Sequence, residues 1–325
     1  MSQSPIHPSP PRTWERQINQ AGAFKRKSSV FRNEISSDNS SLFKAEAGRY
    51  HLYVSFACPW AHRTLITRAL KGLEDAISVN VVDWFLPKGG WTLSASSEGA
   101  THDTVNSFAT MREVYAHANP HYEGSITVPV LWDRKHNTIV NNESSEIIRF
   151  LNREFQDFAQ FPELNIRPAH LEEAIDEINE WIYSDINDGV YKAGFARSQE
   201  AYDDAVHKLF SALEEVEHRL GKSRYLLGSE LTEADIRLFP TLIRFDAVYH
   251  SHFKCSHKRI TDLPNIWGYV RDLYSRPAFK STTNFEHIRN HYFVSHTSIN
   301  PFGILPTAPV INYDEPHDRG AWPQQ

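Results

Sequence analysis

Tyr50-His51-Leu52-Tyr53-Val54-Ser55-Phe56-Ala57-Cys58-Pro59-Trp60-Ala61 decides how the rest of the chain is read. From Arg49 to Ser55, Tyr50, Leu52 and Val54 fall on one face of an alternating pattern, as in a half-buried strand. Beyond Cys58 the period becomes helical: Ala61, Leu65, Ala69 and Leu70 lie on or near one face, and Gly72 can end the helix. Pro59 suits the first helical turn, where its missing N–H costs nothing. Cys58 thus stands where a strand ends and a helix begins, a point at which free N–H groups and the helix dipole favour an anion. A thiol so placed is expected to have its pKa lowered to roughly 3.5–7.5 and to be largely thiolate at neutral pH. The second position of a Cys-x-x-Cys pair is Ala61, so a resolving thiol must come from outside.

Working outward, Ile77–Val82 reads as a second strand, parallel to the first by a right-handed βαβ crossover. Residues 83–127 form a long insertion with Gly89, Gly90 and Gly99, and a helix is expected over Thr104–His117. Val128–Trp132 and Thr138–Val140 are apolar strands joined by the polar turn Asp133–Asn137, an antiparallel hairpin. A helix begins near Ser144 with Ile147, Ile148 and Leu151 inward. This is the βαβ…ββα order of a thioredoxin-like fold. Past Phe161 the chain turns all-helical. Leu171, Ala174, Ile175, Ile178 and Ile182 keep helical spacing, as do Tyr202, Val206, Leu209, Leu213 and Val216. Thr232 with Asp235 three residues on resembles a capping box opening a further helix through Leu238 and Ile243. Asn265–Tyr274 is another short helix, and the tail after Tyr292, with Pro301, Pro306 and Pro309, is expected to be extended. The expected organisation is a polar extension (1–40), an α/β domain (41–160), an all-α domain (161–292) and a tail (293–325).

The 325 residues suffice for two domains, and 40% hydrophobic with 12% aromatic residues is a soluble globular composition. No apolar run approaches the ~18 residues of a membrane helix. A net charge of −6 gives no reason to expect nucleic acid or an anionic membrane as partner. Two cysteines make no disulfide framework, which points to a reducing, cytoplasmic setting. Arg12, Arg16, Lys25, Arg26 and Lys27 faintly suggest a transit peptide, but Glu15, Glu34 and the lack of an amphipathic stripe argue against one.

An α/β domain of this order followed by helices is the architecture of glutathione transferases. Cys58-Pro59-Trp60-Ala61-His62-Arg63, Val128-Pro129-Val130-Leu131-Trp132-Asp133, Asn142-Glu143-Ser144-Ser145 and Gly189-Val190-Tyr191-Lys192-Ala193-Gly194-Phe195 together resemble the glutathionyl-hydroquinone reductases, the Xi class, related to the omega class. The resemblance runs from about Phe24 to Pro301. It implies a cis bond at Val128-Pro129, with the backbone of Val128 pairing with glutathione by strand addition. By itself Pro129 is equally an ordinary strand start. Glu143 and Ser144 stand at a helix N-terminus, where the resemblance has them hold the γ-glutamyl end, Ser144 with a free hydroxyl; alone they read as a simple cap. Trp91, after Gly89-Gly90, is implied to contact glutathione, its alternative being an anchor for the insertion. Family members often carry a basic residue shortly before the Val-Pro pair; here the stretch is Gly124-Ser125-Ile126-Thr127, leaving the glycyl carboxylate without that partner.

Tyr191, Tyr249 and Tyr292 match the family's active-site tyrosines, whose hydroxyls would bind the quinol oxygens and supply a proton. Thirteen tyrosines otherwise mostly fill cores. His250, His252, Cys255 and His257 have metal-ligand side chains, but zinc needs ligands that converge tetrahedrally. They read better as a polar loop with a structural cysteine, and no metal and no bound cofactor is expected. The resemblance implies glutathione as co-substrate, glutathionyl-hydroquinones as substrates, and a homodimer. The implied reaction is attack of Cys58 on the thioether sulfur, giving a mixed disulfide that a second glutathione resolves. Rival readings are an omega-like reductase of dehydroascorbate or mixed disulfides, a conjugating transferase, and a non-catalytic ligand carrier.

Overall fold

The computed structural model describes residues 17–26, 28–38, 40–307 and 311–321. The first domain is built on β1 (Tyr50–Val54), α1 (Pro59–Leu70), β2 (Ile77–Val81), α2 (Met111–Ala118), β3 (Val130–Asp133), β4 (Thr138–Asn141) and α3 (Ser144–Arg153). Its sheet runs β2-β1-β3-β4, with β1 parallel to β2 and the other neighbours antiparallel. Leu52 pairs with Val79 on one side and Leu131 on the other. The expected crossover and hairpin are both present.

Two expectations are corrected. β1 is not half-buried: all five residues are buried, because the sheet is covered on both faces. The polar tips on its second face are met locally. His51 Nδ1 lies 2.7 Å from Ser78 Oγ, and the Tyr53 hydroxyl donates to Asp103 at 3.0 Å. In the insertion the helix begins at Met111 rather than Thr104. Thr110 and Glu113 form its capping box, while residues 105–108 instead wrap the Asp103 carboxylate, which accepts the N–H groups of Val105 and Phe108.

The helical domain comprises α4 (Glu172–Ile182), α5 (Gly189–Gly194), α6 (Gln199–Leu220), α7 (Glu233–Arg244), the single turn α8 (His250–His252), α9 (Pro264–Tyr274), α10 (Pro277–Lys280) and α11 (Phe285–Asn290). Ile175, Ile178, Ile182, Leu209, Leu213 and Val216 are buried along the expected stripes. The Thr232–Asp235 box opens α7. Asp235 also accepts from Leu226 N and the Tyr269 hydroxyl, and burial still pushes its carboxyl above the usual range. Helix α1 packs against both α3 and α7, lending Ile66 to the helical core while Ala61 and Leu65 stay with the sheet. Among the described residues three segments are π-helical, each turn widened by one extra residue: Tyr183–Asn187, Phe245–Tyr249 and His291–Ser295. Such turns concentrate at functional sites. Among the described residues between 296 and 318 there is no helix or strand, and the segment from 311 lies back on the helices, Tyr313 being buried with its hydroxyl toward Ile243 O. No helix among the described residues is long and apolar enough to cross a membrane.

Candidate active site

Cys58 caps the N-terminus of α1 with extended backbone angles, and Pro59 takes the first helical position. Ser55 shapes the approach: its hydroxyl accepts from Ala57 N and its carbonyl from Cys58 N. The thiol is half-buried and donates to Val128 O at 3.4 Å. Here the expectation of a depressed pKa fails. Burial is the largest influence and pushes the thiol above its usual value; the N–H groups of Ala61 and Trp60 and the charges of Arg244 and Arg26 pull the other way without prevailing. The helix terminus acts as expected, but desolvation by two domains outweighs it.

The loop before Cys58 is gripped from the helical domain. Fully buried Arg244, at the end of α7, donates to Ala57 O at 3.1 Å, Phe56 O at 2.8 Å and Pro240 O at 2.8 Å. It also faces His62 Nδ1 at 3.0 Å. An arginine can only donate, so that nitrogen is the acceptor and His62 Nε2–H is left to donate to Thr282 Oγ1. Burial and Arg244 hold the His62 pKa well below its usual value, consistent with a neutral ring. Next to it, Arg63 donates to Asn187 at 2.9 Å and Arg237 O at 3.1 Å, and its guanidinium lies over the Trp60 ring.

On the sheet side, Val128-Pro129 is cis, and its backbone lies beside the thiol. Glu143, not Ser144, is the N-cap of α3: its carboxylate accepts from Ser145 N at 3.2 Å and Ser145 Oγ at 2.9 Å. Ser29 Oγ also donates to it. The Ser144 hydroxyl is not free, since Arg63 Nη1 donates to it at 3.4 Å. Val128, Pro129, Glu143 and Ser144 line one polar groove with Ser125, Arg26 and Arg32. Arg32 is paired with Glu146. Ser125 brings no charge, and its carbonyl accepts from the Tyr122 hydroxyl.

A second, more apolar cavity adjoins this groove and shares Cys58's side of it. Trp91, Phe195, Tyr191 and Tyr292 contribute to its wall. Trp91 is buried and stacks on His291, with centroids 4.9 Å apart. Tyr292 is the hub of a hydroxyl cluster, 2.5 Å from the Tyr191 hydroxyl and 2.9 Å from that of Tyr249. Burial pushes all three phenols above their usual pKa, Tyr191 and Tyr292 by a wide margin. Tyr249 and Tyr292 sit on two of the π-helical turns, and the third leads into α5 with Tyr191. The arrangement brings to Tyr191 hydroxyls from residues 58 and 101 positions away. Phe253 packs on the rings of both Tyr191 and Tyr249, and a Cβ added to Gly194 would stand 2.2 Å from its ring.

Residues 57–154 match the family model of the glutathione S-transferase N-terminal domain, and residues 199–272 that of its C-terminal domain. Glutathionyl-hydroquinone reductase YqjG of Escherichia coli (strain K12) is 53% identical over 313 residues, 94% of this chain and 95% of that protein. PcpF, the glutathionyl-hydroquinone reductase of Sphingobium chlorophenolicum, is 46% identical over 91% of this chain and 93% of its own. The chain belongs to the glutathionyl-hydroquinone reductases, the Xi class of the glutathione transferases. Two solved structures agree. Glutathione-bound YqjG from Escherichia coli K-12 superposes with a TM-score of 0.86 over 90% of this chain and 96% of its own, at 53% identity. The Xi transferase of Phanerochaete chrysosporium does so with 0.89 over 93% and 97%, at 48% identity.

Several residues of this Xi-class chain that shape the site were not singled out in the sequence. Arg244 and Arg63 look like solvated charges of helices, yet both are buried. Arg26 and Gln17 precede residue 40 and line both cavities. A signal existed only for Arg63, which belongs to the Cys58 motif. The histidine-rich stretch behaves differently from its composition. His252 faces His296 at 3.2 Å, Cys255 is buried with its thiol toward Phe253 O, and His257 packs on Phe210. Among the described residues no group of three or more His, Cys, Asp or Glu is placed to hold a metal ion.

Proposed function

We propose that this chain reduces S-glutathionyl-hydroquinones to hydroquinones, with glutathione as reductant and Cys58 as the nucleophile. The carrying observation is that Cys58, Tyr191 and Tyr292 line one cavity while the Cys58 thiol contacts the Val128 carbonyl of the adjoining groove. The activity named for YqjG and PcpF supports the same reading. Glutathione's cysteinyl N–H would take the Val128 carbonyl, displacing the thiol from its acceptor and freeing it to ionise under the Trp60 and Ala61 N–H groups and the Arg244 charge. Glu143 and Ser144 would hold the γ-glutamyl end, and Trp91 would border the glutathione.

The Cys58 thiolate then attacks the glutathionyl sulfur. The sulfur–aryl bond breaks, its electron pair goes to the ring carbon, and that carbon takes a proton from the tyrosine cluster. Phenols whose ionisation burial disfavours stay protonated until that moment. Cys58 is left as a disulfide with glutathione. A second glutathione thiolate attacks the bound glutathione sulfur, releasing glutathione disulfide and the Cys58 thiolate. The aryl carbon gains two electrons, and two glutathione sulfurs lose them, one from the substrate thioether and one from the incoming thiol, so no bound cofactor is needed. On this reading the chain works as a homodimer in a reducing cytoplasm, where glutathione is plentiful. The test is turnover of glutathionyl-menadiol with glutathione by the wild type and Cys58→Ala. Menadiol release by the wild type alone supports the reading; no release, or equal release by both, overturns it.

A further inference from the structure

Residues 17–26 are built into the site. Ile18 and Phe24 bridge an antiparallel turn in which Lys25 N donates to Gln17 O. Gly22 O in turn accepts Arg197 N, and Ser198 Oγ donates to Ala21 O, pinning the turn to the start of α6. Phe24 is buried against Phe195, with centroids 5.4 Å apart. The turn therefore delivers two side chains, Gln17 and Arg26, to the seam between the polar groove and the aromatic cavity, and both line both spaces.

Arg26 is held rigidly there. Its Nε donates to Asp188 at 2.7 Å, and its guanidinium lies 4.9 Å from the Trp60 centroid and 4.8 Å from that of Tyr191. Ion pair and rings fix the plane of the fork. Yet Nη2 is buried with no hydrogen-bond partner among the described residues, and so is Gln17 Oε1. A buried charged donor and a buried amide acceptor left unpaired are both unfavourable. Both set where the aromatic cavity meets the polar groove, they match a group that accepts one hydrogen bond and donates another. A carboxylate only accepts and an ether only accepts; a phenolic hydroxyl does both.

We propose that Arg26 and Gln17 are substrate-binding residues for a phenolic hydroxyl, Arg26 donating to its oxygen and Gln17 accepting its hydrogen. This deepens the hydroquinone reading and rests on it for the identity of the physiological phenol. The pair makes the seam selective for hydroxylated rings, apart from Tyr191 and Tyr292 within the cavity. Arg26 also lines the polar groove and its charge reaches the Cys58 thiol, so the pair is tested by ring binding rather than by turnover.

The test is calorimetric binding of 1-naphthol and 1-methoxynaphthalene to the full chain, with Arg26→Met, Arg26→Lys and Gln17→Leu beside the wild type. The wild type is expected to prefer the naphthol by about tenfold or more, the size of one charge-assisted hydrogen bond. Arg26→Met and Gln17→Leu should each remove most of that preference. Arg26→Lys should keep only part of it, because a point charge replaces the fixed fork. Far-ultraviolet circular dichroism and denaturant midpoints close to those of the wild type certify the folding of each variant. A wild type without the preference, or variants that retain it, overturns the assignment. Hydroxyl preference that depends on Arg26 in a protein inactive on glutathionyl-menadiol would sink the reaction and leave this site standing; turnover without the preference would do the reverse.

Discussion

The two walls of the cleft are made of different material. The sheet side presents backbone: the Val128 carbonyl, the N-termini of α1 and α3, and one thiol at the end of a strand. The helical side presents rings and hydroxyls, drawn together from two π-helical turns and from the helix that follows a third. Backbone recognition suits a peptide, which every substrate of such an enzyme shares. Side-chain recognition suits the part that varies. On the proposed reading, nucleophilic chemistry and leaving-group selection reside on separate walls, joined at Arg244 and at the Arg26 seam.

The separation has graded consequences. Cys58→Ser should abolish both hydroquinone release and mixed-disulfide exchange, by about three orders of magnitude or more, as measured by product chromatography. Tyr292→Phe removes the hub hydroxyl and should lower kcat for glutathionyl-menadiol by about 10²–10³-fold. Exchange with an aliphatic mixed disulfide should stay within a few fold; an equal loss in both reactions would break the two-wall picture. For the free protein, a thiol whose pKa lies above the ordinary value is mostly protonated at neutral pH, so its thiolate fraction rises about tenfold per pH unit below that pKa. Iodoacetamide labelling of Cys58 between pH 6 and 8 should follow that slope, whereas a plateau would mean a thiolate already formed. Glu143→Gln should raise KM for glutathione about tenfold with kcat nearly unchanged. The smallest effect belongs to packing. Gly194→Ala pushes into the Phe253 ring behind Tyr191 and Tyr249 and should cost about 1–3 kcal/mol in denaturant unfolding.

What was legible in the sequence follows the same division. β1, α1, the β3–β4 hairpin and α3 announce themselves because period, turn and cap are local properties of a few neighbouring residues. So did Cys58 as a helix-terminal thiol. Its raised pKa was not legible, since the dominant influence is burial supplied by distant parts of the chain. His51 and Tyr53 suggested a solvated face until Ser78 and Asp103 were seen to meet them. Arg26 was hidden for the same reason: its ion-pair partner, Asp188, is 162 positions away. Buried Arg244 binds carbonyls more than 180 positions off, and nothing in a helical pattern distinguishes it from a surface charge. The tyrosine motifs were visible by resemblance, but the π-helical turns that converge their hydroxyls have no simple period.

The half-buried, protonated Cys58 beside Ala61 also bears on how the protein ages. Peroxide attacks thiolates, and a sulfenic acid with no neighbouring thiol advances to sulfinic and sulfonic acids that glutathione does not reverse. The chain's other cysteine, Cys255, is fully buried within the helical core and offers no rescue. On the proposed reading the resting sulfur stays neutral until glutathione takes the Val128 carbonyl, so the nucleophile is exposed as an anion only when its own reductant is at hand. Burial, which slows the free thiol, acts as its antioxidant.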